Sequence, residues 1–317
     1  MRFSVDPWDP SYGASLEGGD LDPSSADVVL DLELPADQWR PLDPPSDVEL
    51  PDVVLFVDGV RRVEARVWIE GDDGRVDPGI CASYAAGVVR CDGKATITDV
   101  LVERGVFSAS PAAADIETKC GAFPARMAAG STPEQLSLAL QERMTQAEVV
   151  VAERSRNGDS ALIVVDGPLR GRQHLVGAIG YVKTHHVSYL PNGQGAVVGQ
   201  LLPGQRTPVF TMRTAWSRHS WYLRLPGPVG SPWAGVVRCE CSADVAPTEV
   251  IALANMSAAL LVKYASDPHK EPRAPQNLYP VSGLERELRR RLGDSELIYR
   301  GLRSSAARAE AVGAPIR

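Results

Sequence analysis

The sequence predicts an α/β protein, a mixed sheet flanked by helices, on three observations. Two runs, DVVLFVDG and SALIVVDG, have the length and apolar character of buried strands. Between them lies a long stretch with helical periodicity. Around them, several segments alternate apolar and polar residues as half-buried strands do.

Residues 1–50 are rich in proline, aspartate and serine and predict an irregular N-terminal arm with one short strand over Val28–Leu34. DVVLFVDG reads as a strand ending in the turn pair Asp58–Gly59. RRVEARVWIE then alternates, with Val63, Ala65, Val67 and Ile69 on one face, so a hairpin is expected at that pair. ICASYAAGVVRCDG and ATITDVLVERGVF continue as antiparallel strands. In STPEQLSLALQERMTQAEVVVAERSRNG, Ser131 or Thr132 can cap and Pro133 takes the first helical position. Leu136, Leu140, Met144, Ala147 and Val151 recur at three and four, so the helix spans Pro133–Arg156 and stops at Asn157–Gly158. SALIVVDG is a strand ending at Asp166, and HLVGAIGYVKTH one ending at Lys183. TPVFTMRT, SWYLRLPG and WAGVVRCEC are three further strands. A helix follows behind Pro247, then a short basic helix over Gly283–Leu292 and an alanine-rich, charged tail. The expected organisation is an arm (1–50), one domain (51–300) and a tail (301–317).

Net charge is -7, from 33 basic and 40 acidic residues, which excludes wholesale coating of nucleic acid and leaves only a local basic patch for such contacts. The five cysteines are odd in number and scattered, so a disulfide framework is not expected. Cys239 and Cys241 share one face of a strand, and their spacing is too close for a usual zinc pair, so they read as buried, reduced thiols. The first residues lack the basic start and apolar run of a signal peptide, and no apolar run approaches a membrane span; cytoplasmic localisation is the expectation.

The candidate chemistry is carboxylate chemistry. Asp58 and Asp166 each end a predicted apolar strand, and strand ends are where open α/β sheets bind ligands. Paired acids call for a proton or a cation, and magnesium or manganese takes oxygen ligands and can activate water at a phosphodiester. Either aspartate alone also reads as an ordinary turn residue. Glu148 flanks the apolar face of the long helix, whereas Glu142 and Glu153 fall on its solvated side. Lys183, Arg213, Arg273, Asn277 and Tyr279 are candidate phosphate contacts, and Arg286, Arg289, Arg290 and Arg291 form the densest basic cluster. Trp216, Trp221 and Tyr222 read either as base-stacking groups or as core. His269 lies on a loop from which it could relay a proton. No nucleophile elbow, phosphate-binding loop or dinucleotide fingerprint is present.

The order of LFVDG, a helical glutamate, LIVVDGPL, IGYVK, WYLRL, VVRCEC and NLYPVSGLERELRRRLG resembles the NurA-type nucleases over about residues 50–292. That resemblance implies an RNase H-like core, cleavage of DNA with manganese (or magnesium), a homodimer, and work with a hexameric HerA-type ATPase in end processing or defence. It makes Asp58, Glu148 and Asp166 the metal ligands and Tyr279 the late active-site tyrosine. Lys183 would hold a phosphate oxygen. The family's late histidine is absent: Glu287 stands in its place, with His269 available from the preceding loop. Val60 and Pro168 also depart from the family's serine-like positions. The alternatives are a non-catalytic subunit that scaffolds an ATPase, a hydrolase of a smaller phosphate substrate, and a structural protein whose Asp-Gly pairs are turns.

Overall fold

The computed structural model describes residues 22–24, 26–156, 161–227 and 233–313. The predicted helix stop at Asn157–Gly158 lies outside these residues, as do residues 1–21 of the predicted arm and 314–317 of the tail.

The protein is α/β, with a large mixed sheet flanked by helices. In chain order the strands are β1 (Asp22–Pro23), β2 (Asp27–Val29), β3 (Val54–Glu70), β4 (Val76–Cys91), β5 (Ala95–Ser108), β6 (Ile116–Thr118), β7 (Gly121–Phe123) and β8 (Ala125–Met127). Helix α1 (Pro133–Ser155), β9 (Leu162–Asp166), β10 (Ala178–Val182), β11 (Val187–Ser188) and α2 (Asn192–Gln200) follow. The chain ends with β12 (Phe210–Arg213), β13 (Ser217–Arg224), β14 (Val236–Ser242), α3 (Pro247–Leu261), α4 (Tyr279–Arg291) and α5 (Ser295–Gly313).

The chain divides into two compact units. The first comprises Met1–Phe56, Val89–Thr96 and Arg156–Gly283. Its strands run in the order β2, β12, β13, β14, β10, β9; β9 and β10 are parallel and the other pairs antiparallel. Its core gathers Phe210, Met212, Tyr222 and Val236 from the sheet with Val197, Val198 and Leu201 of α2. The predicted arm contributes here: Trp39 packs in this core, and Glu33 forms a bidentate pair with Arg206 at 2.7 and 2.8 Å. The expected strand over Val28–Leu34 is only Asp27–Val29.

The second unit comprises Val57–Val88, Ile97–Ser155 and Leu284–Arg317. Its strands are ordered β3, β4, β5, β8, with β5 and β8 parallel. The hairpin expected at Asp58–Gly59 is not there: β3 runs unbroken through the pair for 17 residues. Glycine is needed at that point for proximity instead of for a turn. A Cβ on Gly59 would lie 2.6 Å from Glu148 Oε1 and 2.9 Å from Met144 Cγ, so only glycine lets α1 come this close. Helix α1 begins as predicted, with a reciprocal cap: the Gln135 amide donates to Thr132 Oγ1 and the Thr132 amide to Gln135 Oε1, at 3.3 and 3.2 Å.

Gly87 plays a matching part under α4, where a Cβ would stand 3.0 Å from Leu284 Cδ1 and 3.1 Å from Leu288 Cδ2. The basic helix starts earlier than predicted, at Tyr279. The tail is helical through Gly313: α5 buries Ile298 and Leu302 against Cys81, Val106 and Phe123. None of the helices, among the described residues, is long and apolar enough to cross a membrane.

Candidate functional site

Within the second unit, three carboxylates come from three elements. Asp58 sits on β3, 5 % exposed, and its Oδ1 accepts the Gly59 amide at 2.7 Å. Glu148 projects from the apolar face of α1, 2 % exposed, with Oε1 against Gly59. Glu285 projects from α4, and one of its carboxylate oxygens lies within 4.8 Å of one from Asp58. Gly59 and Gly87 each let a helix that carries a glutamate settle onto a strand.

Glu285 is the functional candidate that sequence reasoning missed in favour of Glu287. The signal was present. Val281, Leu284, Leu288 and Leu292 are all buried and form one stripe along α4. At about 100° per residue, Glu285 lies roughly 50° from the centre of that stripe and Glu287 roughly 100°. Glu287 is instead held at the surface by Arg290 and Arg291, each at 2.7 Å. Hydrogen bonds from Arg290 and then Arg291 pull its carboxyl down to about 2.

Within the first unit, Asp166 ends β9 as predicted and joins a chain of polar contacts. Lys183 Nζ donates to Asp166 Oδ2 at 2.6 Å and to Asn277 Oδ1 at 2.9 Å. Asn277 Nδ2 donates to Glu271 Oε1 at 3.1 Å, and Ser282 Oγ donates to Glu271 Oε2. Arg273 stands 3.7 Å from the same glutamate. Burial by itself raises the Glu271 carboxyl, but the bonds from Ser282 and Asn277 outweigh it and leave the group lowered. Asp166, Lys183, Asn277 and Arg273 are therefore assembled in one network. The lysine is only 10 % exposed, so it presents its charge to Asp166 and not to open solvent. The other Asp166 oxygen, Oδ1, is buried and has no hydrogen-bond partner among the described residues.

The remaining candidates lie elsewhere. Tyr279, at the start of α4, donates its hydroxyl to Asp267 Oδ2 at 2.6 Å, which holds that carboxyl below its usual range. His269 is exposed on the neighbouring turn. Arg213 is exposed on β12 and pairs with Asp27 at 3.2 Å. Trp221 and Tyr222 are core residues, and Trp221 donates to Ser257 Oγ at 2.9 Å. Trp216 is partly exposed, with the Arg218 guanidinium 5.1 Å from its ring. Cys239 and Cys241 are buried free thiols on β14, and burial raises both, Cys241 to about 12, which opposes the thiolate a zinc ligand requires.

Neither a protein-family model nor a curated protein matches the chain.

Proposed function

We propose that this protein is a metal-dependent deoxyribonuclease with an RNase H-like core, similar to the NurA-type nucleases. On this reading it hydrolyses phosphodiesters at DNA ends as a cytoplasmic homodimer working with a hexameric HerA-type ATPase. The observation that supports the reading is the close approach of Asp58 on a strand and Glu285 on a helix, with carboxylate oxygens within 4.8 Å of one another. Their donor atoms fit the proposed ion, since manganese and magnesium favour hard carboxylate oxygens. Asp166, in the first unit, is a candidate donor by the sequence resemblance. Its Oδ1 is buried without a hydrogen-bond partner among the described residues. Leaving such a group unsatisfied costs about 1–3 kcal/mol.

When bound, the ion supplies activated water and offsets the charge that builds on the phosphodiester. The chain's own residues hold the geometry. The Gly59 amide fixes the Asp58 carboxylate, and the packing of α1 fixes Glu148. Lys183, itself bound by Asn277, keeps Asp166 in one orientation and is a positioning residue.

One observation favours a second reading, a non-catalytic subunit that scaffolds its partner: the Lys183–Asp166 pair is nearly closed to solvent, as structural ion pairs are. Cleavage of end-labelled single- and double-stranded linear DNA separates the two. The nuclease reading expects cutting with manganese or magnesium, none with chelator, and loss of cutting in Asp58→Ala and Asp166→Ala. A folded native protein that cuts neither substrate, with its ATPase present, supports the scaffold.

A further inference from the structure

A second candidate site lies in the first unit. The tip of the β4–β5 hairpin, the end of α3 and the start of α4 enclose a pocket of about 340 Å³ lined by Cys91, Lys94, Lys263, Tyr264, Tyr279 and Pro280, with two small residues. That volume is near the lower end of the ~300–1,000 Å³ typical of ligand pockets, enough for one nucleotide unit and little more.

The lining has no carboxylate and two lysines, on a chain whose net charge is -7. Lys94 and Lys263 are exposed, and neither has an ion-pair partner among the described residues. The nearby acids are already matched. Asp92 pairs with Arg90 at 2.9 Å, and Asp267 takes the Tyr279 hydroxyl at 2.6 Å with Lys270 at 3.9 Å. The aromatic walls are held in place. Tyr264 makes an edge contact with Phe56 at 4.8 Å between ring centroids, and the Tyr279 ring is fixed through its hydroxyl. Two free ammonium groups beside two fixed aromatic rings match the two chemistries of a nucleotide, a phosphate for point charges and a base for π-faces.

We propose that this pocket holds one nucleotide of a single DNA strand, its phosphate between Lys94 and Lys263 and its base against Tyr264 or Tyr279. The identity of the polymer rests on the nuclease reading; the phosphate chemistry does not. Binding of a short fluorescein-labelled oligodeoxythymidylate, followed by anisotropy in chelator, tests it without any metal or cleavage. Lys94→Glu with Lys263→Glu should weaken binding by at least about tenfold. It should also reduce the slope of log affinity against log salt by about 0.7, the contribution of the one single-strand phosphate held between the two lysines. Lys94→Arg with Lys263→Arg should bind as the native protein does, and the corresponding double alanine variant should show the same loss of slope without charge reversal.

Unchanged slope in the folded glutamate and alanine variants overturns the proposal, and so does a native protein with no affinity for the oligonucleotide. Displacement of the oligonucleotide by equimolar thymidine monophosphate overturns the strand assignment and makes the pocket a free-nucleotide site. Loss of slope in a protein that never cuts DNA leaves the pocket standing and sinks the nuclease. Metal-dependent cutting with an unchanged slope does the reverse.

Discussion

Glu240 in the first unit and Glu148 in the second are both buried, at 0 % and 2 % exposure, yet they keep different company. Glu240 receives Arg238 at 2.6 Å, Arg218 at 3.2 Å and the Leu169 amide at 2.8 Å. Arg238 is steadied in turn by the Tyr189 ring, 5.2 Å from its guanidinium. Glu148 lies against the residue that follows Asp58, and Asp58 lies within 4.8 Å of Glu285. In the first group, cations are built around an anion, and the result holds strands β13 and β14 together. In the second, a strand and a helix bring the Asp58 and Glu285 carboxylates within 4.8 Å of one another. The contrast is between a buried charge that ties strands together and, on the proposed reading, buried charges that serve a metal ion.

The largest expected effect breaks the structural side of that comparison. Glu240→Gln leaves two buried guanidiniums short of their carboxylate and should cost about 3–5 kcal/mol in urea denaturation. Next comes His185, which burial holds neutral, with its pKa pulled down to about 4 from 6.5 against the opposing hydrogen bond to the Val236 carbonyl. Because the folded value is the lower one, the neutral-imidazole contribution is complete above pH 6.5 and is lost as pH falls towards 4. That loss is worth roughly 3 kcal/mol. Stability measured across this window should fall more steeply for the native protein than for His185→Phe.

On the chemical side, Gly59→Ala places a methyl against Glu148 and Met144. It should cost about 1–3 kcal/mol in thermal or urea unfolding and diminish any rise in melting temperature on adding manganese that the proposed site predicts for the native protein. The smallest effect sharpens the choice between two glutamates of α4. Glu287→Gln removes an exposed pair and should change stability by under about 0.5 kcal/mol and leave manganese affinity unchanged in calorimetry. Glu285→Gln should lower that affinity by about tenfold or more.

Much of the fold was legible because the signals were local. Thr132, Pro133 and the stripe from Leu136 to Val151 announce α1 at its correct start. The apolar runs before Asp58 and Asp166 do become buried strand segments. What the sequence hid were places where a tertiary contact overrules a local preference. Asp58–Gly59 has turn chemistry, yet its glycine serves the approach of α1, which no local pattern reveals. Asn192–Gln200 is rich in glycine and polar residues, and it is a helix because Val197 and Val198 bury against Trp39 and Phe210. Lys183 reads as a phosphate contact until Asp166 and Asn277 are seen to hold it. Glu285 is legible from a finer phase argument along α4, whereas Glu287 follows only from its distance from Tyr279 in the family's pattern.

The proposed site stands or falls on whether these carboxylates hold a divalent ion. Calorimetric titration of manganese into the chelator-stripped native protein and into Asp58→Asn tests it most directly. Saturable binding by the native protein is expected, with at least a tenfold loss in the variant. Equal binding by both proteins, or none by the folded native protein, would contradict it.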